Sequence, residues 1–328
     1  MNQIAVSDLP APAQLLDDPR LLAEAWERLK ASRHHLHAPE AARLLGVPEA
    51  ALVASRLGQG ALRLPADPAL ILASAHQWRR VLVALGSALG VHLSLDPVRL
   101  EGGAGATLRL VGPHLESAFD ASRVAHVFWF VDVDDSHGRT RSLQMFDAAG
   151  EAVIKLFIFH KTAAAAAGKT FAALAAGIPQ TSFQPGAAAG PARTVLPGAA
   201  RPAPAVRQVL PGPAPEAFRQ LFAALDGSHG PLCVTLEASH AWQRHTGPIT
   251  HARADAAMVH LHEQDLRAHL RIGAVTSAVA EMDASGVVCS LVFGAVDGSQ
   301  LRLEPAEPGT AAAFRTFAGW AMMAGGAA

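Results

Sequence analysis

Sixteen of the 328 residues are histidine and none is tyrosine, so metal chemistry in this chain draws on imidazole before any phenol. His260 and His262 alternate along Met258–His262, a segment that reads as a strand, and side chains two apart on a strand share a face. That is the spacing a metal site uses, and an exposed strand face explains it equally well. His34, His35 and His37 crowd a predicted loop before a helix, where solvation is the default. His126 opens an aromatic strand three residues after Arg123, and packing is its plainer reading. Lys155 stands inside an apolar strand, where a charge must leave the core, find a partner, or snorkel from the sheet face. Cys233 and Cys289 are too few and too far apart for a disulfide framework or a zinc site, and read as reduced, buried thiols.

Other chemical signatures fail on inspection. Gly168-Lys169-Thr170 has the ending of a phosphate loop, but the glycine required five residues earlier is Ala163, inside an alanine-rich helical run. His262-Glu263 is followed next by His269, not by a histidine at the metalloprotease spacing. No nucleophile elbow and no cysteine–histidine pairing stands out.

The elements that would position these residues form an α+β pattern. Leu21–Ala31 is amphipathic, and Pro39 and Pro48 each suit the first turn of a helix, so a small helical cap is predicted first. From Ala106 the pattern turns to β: Thr107–Val111, His126–Val133, Arg141–Phe146 and Ala152–Phe159 are predicted to make one antiparallel sheet, closed by a helix at Thr162–Ala176. Proline, glycine and alanine dominate residues 177–215, which reads as a linker. Beyond it, a helix at Glu216–Leu225 precedes strands near Pro231–Leu236, Met258–His262, Arg267–Ile272, Val275–Glu281 and Val287–Phe293, with a last helix at Phe314–Met323.

The length suits two domains of ordinary size. A net charge of −1 offers no broad field for a polyanion, so nucleic acid is not expected as a partner. The first ten residues lack the basic start and long apolar core of a signal peptide. No run approaches about 18 apolar residues, so a cytoplasmic location without membrane insertion is expected.

The chain looks internally duplicated. Arg141–Leu156 is a strand, an Asp147-Ala-Ala-Gly150 turn and a returning strand, and a worn copy is read at Thr276–Val288 around Asp283-Ala-Ser-Gly286. Around these hairpins stand Pro39-Glu40 through Arg56, Phe119-Asp120-Ala121-Ser122-Arg123, Phe128-Trp129-Phe130, Gln243-Arg244-His245-Thr246-Gly247-Pro248 and Val259-His260-Leu261. Together they resemble the cytoplasmic hemin-degrading and haem-trafficking family of bacterial iron uptake, the HemS/HmuS/ChuS type, over most of residues 21–162 and more loosely over 214–295.

The resemblance implies two repeated halves, each a large antiparallel sheet with flanking helices: 1–176, the linker 177–215, and a shortened 216–328. It implies haem as ligand or substrate, and a role in haem-iron acquisition, taking up imported hemin for degradation or transfer. Possible partners are then a haem oxygenase or the cytoplasmic side of a haem importer. Arg123 falls where the family places an arginine over the haem, which makes it both the catalytic and a cofactor-binding candidate; a strand-edge arginine paired with a carboxylate is the other reading. Arg207-Gln208 corresponds to a pair facing the propionates, against a solvated linker arginine. The family's axial histidine lies in an Asp-x-His-x-Phe-Phe stretch that has no counterpart here, since no histidine falls between His160 and His229. The candidate iron ligands are therefore His245, in a predicted turn after a strand, with His260 and His262. The alternative is a non-catalytic haem-buffering or regulatory relative that lacks the usual axial histidine.

Overall fold

The computed structural model describes residues 9–33, 36–102, 106–134, 138–180, 196, 203–210, 214–225 and 229–306. His34, His35 and the helix predicted at Phe314–Met323 lie outside them. In chain order the elements are helices α1 (Pro12–Asp17), α2 (Pro19–Ser32), α3 (Ala38–Leu45) and α4 (Glu49–Ala54), β1 (Ala61–Leu64), α5 (Pro68–Leu72), β2 (Arg80–Ser87), β3 (Gly90–Pro97), β4 (Arg99–Gly102), β5 (Thr107–Val111), β6 (Leu115–Asp120), β7 (His126–Asp134), β8 (Gly138–Phe146), β9 (Ala152–Ile158) and α6 (Lys161–Leu174). They continue with β10 (Val206–Val209), α7 (Ala214–Leu225), β11 (His229–Glu237), β12 (Ala241–Ile249), β13 (Ala252–Ala254), β14 (Met258–His262), β15 (Leu266–Arg271), β16 (Val275–Met282), β17 (Val288–Ala295) and β18 (Gln300–Pro305). Short 3-10 turns stand at Ala121–Arg123 and Ile272–Ala274. The class is α+β with large antiparallel sheets, as expected.

Two compact units divide the chain, residues 1–80 with 121–192 and residues 81–120 with 193–328. In the first, prolines open the helices where a missing N–H is harmless, and Asp18 caps α2 by accepting from Arg20 N at 2.9 Å. Pro48 is the cap residue before α4 rather than part of its first turn. Helix α2 buries Leu22, Ala25, Trp26 and Leu29, one stripe at helical spacing. Trp26 stacks on Phe130 of β7 at 5.8 Å. The next residue along the strand, Trp129, faces the other way and meets Phe171 of α6 at 5.1 Å. Both faces of β7 are thus covered, which explains its unbroken apolar run. Lys155 has found a partner: it bonds Glu49 at the start of α4, both side chains nearly buried. Gly168-Lys169-Thr170 lies within α6.

In the second unit the two halves of the sequence interlock. β3 pairs antiparallel with β15, Ser94 opposite Leu266, and β6 pairs with β12, Phe119 opposite Ala241. These backbone ladders are why residues 81–120 cluster with the C-terminal part, and why the compact units differ from the expected 1–176 and 216–328. For the same reason β5 is not in the sheet expected for it: its neighbours are β4 and β6, whereas β7, β8 and β9 pair with one another. Helix α7 seats Phe218 edge-on to Phe293 of β17 at 4.8 Å.

The segment expected as a linker is partly structured. Gln180 holds the backbone of Arg63 through both amide atoms, Leu196 is buried with Ala118 and Trp242, and β10 pairs with β16.

Strand order confirms the duplication and corrects its register. The run β1-β7-β8-β9 is matched by β10-β16-β17-β18, and β2-β3-β15-β14-β13 by β11-β12-β6-β5-β4. The Asp147–Gly150 turn, between β8 and β9, therefore corresponds to Ala295–Gly298 between β17 and β18, not to Asp283–Gly286. Ser142-Leu143 matches Ser290-Leu291. All three turns close with the same pair of bonds: Asp147 N to Glu151 O with Gly150 N to Asp147 O, Asp283 N to Val287 O with Gly286 N to Asp283 O, and Ala295 N to Ser299 O with Gly298 N to Ala295 O. Asp147–Gly150 and Asp283–Gly286 share the Asp-x-x-Gly letters but join non-corresponding strands.

Candidate functional site

Arg123 ends the 3-10 turn between β6 and β7. The turn is fixed by Val124 N donating to Ala121 O at 3.1 Å and Ala125 N to Phe146 O at 2.9 Å. Its side chain is partly exposed and, among the described residues, has no hydrogen bond or ion pair. Nearby in sequence, burial and the Arg63 charge lower the pKa of His126 and keep it neutral. Arg207, by contrast, is engaged: on β10 its Nε lies 3.3 Å from Oε1 of buried Glu281. Ser290 and Arg302 also bond that carboxylate, which sits below its ordinary pKa because their bonds outweigh its burial.

His245 lies within β12, not in a turn, and is 3% exposed. It belongs to a polar seam whose other wall is β3. Along β3 the buried residues are Gly90, His92, Ser94 and Asp96, while Val91, Leu93 and Leu95 are only half-buried, the reverse of the usual strand face. Each inward side chain is bonded through at least one atom, while His92 Nε2 and Gln243 Oε1 have no partner among the described residues. Ser94 Oγ meets His245 Nδ1 at 2.8 Å, Gln243 Nε2 meets His92 Nδ1 at 2.8 Å and also donates to Val83 O at 3.0 Å, and Asp96 accepts from His114 N and Leu115 N. Burial, with the charge of His245 nearby, pushes His92 down to about 3; burial and His114 push His245 down to about 4. Both rings are neutral at physiological pH.

His260 and His262 share a face of β14, and β15 brings His269 to the same place. His260 and His269 are directly opposed in the strand pairing, with Nδ1 atoms 2.8 Å apart. Ligand atoms of all three rings lie within 4.8 Å of one another. On its outer side His260 Nε2 is 3.5 Å from Asp255 Oδ2.

Sequence reading reached Arg123, His245, His260 and His262 but neither His269 as a member of the cluster nor His92, Ser94 and Asp255. The short turn at Glu263–Asp265 carried a signal for His269, because a tight hairpin folded there puts it across from His260. The thiols differ from expectation: Cys233 is half-buried and Cys289 exposed, and both are free.

Comparison with known proteins gives three findings. Residues 46–176 match the profile of the haemin-degrading HemS.ChuX domain. The fold of the chain is similar to that of holo-PhuS, a heme-binding protein from Pseudomonas aeruginosa, with TM-score 0.72 and 21% identity over 89% of this chain and 95% of that one. It is similar also to the heme-degrading enzyme ChuS of Escherichia coli O157:H7, with TM-score 0.73 and 17% identity over 92% of this chain and 99% of that one. No curated protein matches.

Proposed function

We propose that the chain belongs to the HemS/ChuS-type family, whose haemin-degrading domain residues 46–176 match, and that it binds haem in the cytoplasm after import. The haem is there either opened for its iron or handed to an oxygenase. The observation that carries the reading is Arg123, a partly exposed guanidinium inside the matched domain with no partner among the described residues. Such a group has five donors in a fixed fork. It suits a haem propionate, or a small ligand held above the iron.

The aromatic strand is not an open wall for the haem: Phe128 and Phe130 are enclosed in the first unit's helical core, and Trp129 packs on Phe171. Of the second-half candidates, His245 is buried against Ser94, whereas His260 is half-buried beside His269 and His262 is exposed. Haem contact is assigned here to Arg123. No described helix is long and apolar enough to cross a membrane.

Titrating the purified protein with hemin tests this. A saturable change in the Soret band, at one site per chain and micromolar or tighter, is expected. A spectrum no different from free hemin in the same buffer overturns the reading.

A further inference from the structure

We propose that His260, His262 and His269 form a binding site for a divalent first-row transition metal, distinct from the haem contact. The argument starts from the backbone. Residues 260 and 262 project from one face of β14, and the β14–β15 register sets His269 directly across from His260. Ring centroids are 5.1 Å apart for His260–His269, 5.4 Å for His262–His269 and 6.1 Å for His260–His262, a nearly even triangle. Both strands are flanked by neighbours, β13 beside β14 and β3 beside β15, so the frame is held on two sides.

Three imidazoles are a donor set for zinc, copper, nickel or cobalt. At a metal–nitrogen distance of 2.0–2.1 Å, tetrahedral ligand atoms stand about 3.3 Å apart. The ring nitrogens lie between 2.8 Å and 4.8 Å from one another, so side-chain rotation alone brings them to that spacing. A fourth position stays open on the exposed side, where His262 lies.

Asp255 supplies the second observation. It approaches the nitrogen of His260 that faces away from the cluster. A carboxylate on the far nitrogen fixes the tautomer and aims the other nitrogen at the ion. Asp255 is itself held, accepting from Ala257 N and Met258 N at 2.8 Å.

Haem iron cannot use all three rings at once. A porphyrin leaves its iron two axial positions on opposite faces, whereas these three rings converge on one point from one sheet face.

The experiment is titration of the tag-free full-length protein with Co2+ and Zn2+, read by calorimetry and the visible Co2+ spectrum, alongside hemin. One equivalent is expected, with the Co2+ spectrum of nitrogen ligands in tetrahedral geometry. Single His262→Ala and His269→Ala variants should lose tenfold or more in affinity, and Asp255→Asn about tenfold. His251→Ala, a nearby exposed control, should change nothing. Undiminished binding in a folded His260→Ala/His269→Ala double variant overturns the proposal. So does loss of hemin binding together with the ion in the triple variant, which would make the cluster a haem ligand set. A wild type that takes Co2+ but no hemin leaves this site standing and removes only the haem reading.

Discussion

Gln243 and His92 hold the same place in the two repeats, each five residues before a proline near the end of its strand, and they bond each other at 2.8 Å. Two residues on, the same holds for His245 and Ser94, again at 2.8 Å. Corresponding positions of the duplicated sequence thus recognise one another across the second unit, but with different side chains. One copy supplies the imidazole where the other supplies an amide or a hydroxyl, so each pair has a donor and an acceptor. Two histidines facing each other would lose that complementarity on protonation.

This seam makes stability depend on pH. His92 and His245 have folded pKa values of about 3 and about 4, against 6.5 for the free side chain. The native state therefore binds fewer protons than the unfolded one. Stability is full above pH 6.5 and falls as pH drops toward 4, by about 1.4 kcal/mol for each unit of depression. Urea unfolding at pH 7 and pH 5 should show a loss of a few kcal/mol, reduced in His245→Gln. A flat profile would remove the histidines from the account of acid sensitivity.

Arg123→Ala should leave the melting temperature unchanged, since the side chain has no partner among the described residues. Hemin affinity should fall roughly ten- to hundredfold, the equivalent of about 1.5–3 kcal/mol for a charge-assisted contact. Equal affinity and an identical spectrum would return Arg123 to an ordinary surface role.

Lys155 and Glu49 are nearly buried, with side-chain exposures of 12% and 8%. Lys155→Met alone leaves a buried carboxylate unpaired and should cost about 3–5 kcal/mol. Adding Glu49→Leu should restore most of it, because an apolar pair of similar volume has no desolvation to offset. Chemical denaturation of the two singles and the double forms the cycle; additive losses would mean that the pair is not coupled.

Two glycines of the same turn type should respond differently. Gly150 has φ +86°, and a Cβ there would come within 2.8 Å of the Pro48 side chain; Gly286 has φ +79° with nothing within 4 Å. Gly286→Ala should cost only the left-handed strain, about 1–2 kcal/mol. Gly150→Ala should add about 1–3 kcal/mol of overpacking against the α3–α4 connection. Equal losses would show that Pro48 moves aside freely.

Much of the architecture was legible because apolar periodicity and turn residues reported it directly. The strands at 126–133, 141–146, 258–262 and 275–281, and the helices at 21–31 and 216–225, fall within β7, β8, β14, β16, α2 and α7. β3 escaped because it buries His92, Ser94 and Asp96, so a reading that looks for apolar faces turns its side chains the wrong way. β12 escaped because Thr246-Gly247-Pro248 looks like a turn, whereas Pro248 lies past the last residue that β6 pairs. The partners of His245 and His260 depend on register between distant or folded-back strands, which no local pattern contains. Arg123 was found through the resemblance alone, and its lack of a carboxylate partner among the described residues is a three-dimensional fact.

The exchange of strands between repeats also dictates an order of events on the ribosome. β3 and β6 emerge early, but their partners β15 and β12 are encoded well over a hundred residues downstream. At about 5–20 residues per second, the nascent chain carries two unsatisfied strand edges for on the order of ten seconds. Open edges invite pairing with a neighbouring nascent copy. Slow translation, or a premature stop in the proline-rich segment, would therefore convert a soluble intermediate into an aggregation seed, and holding chaperones have their natural target at residues 90–97 and 115–120.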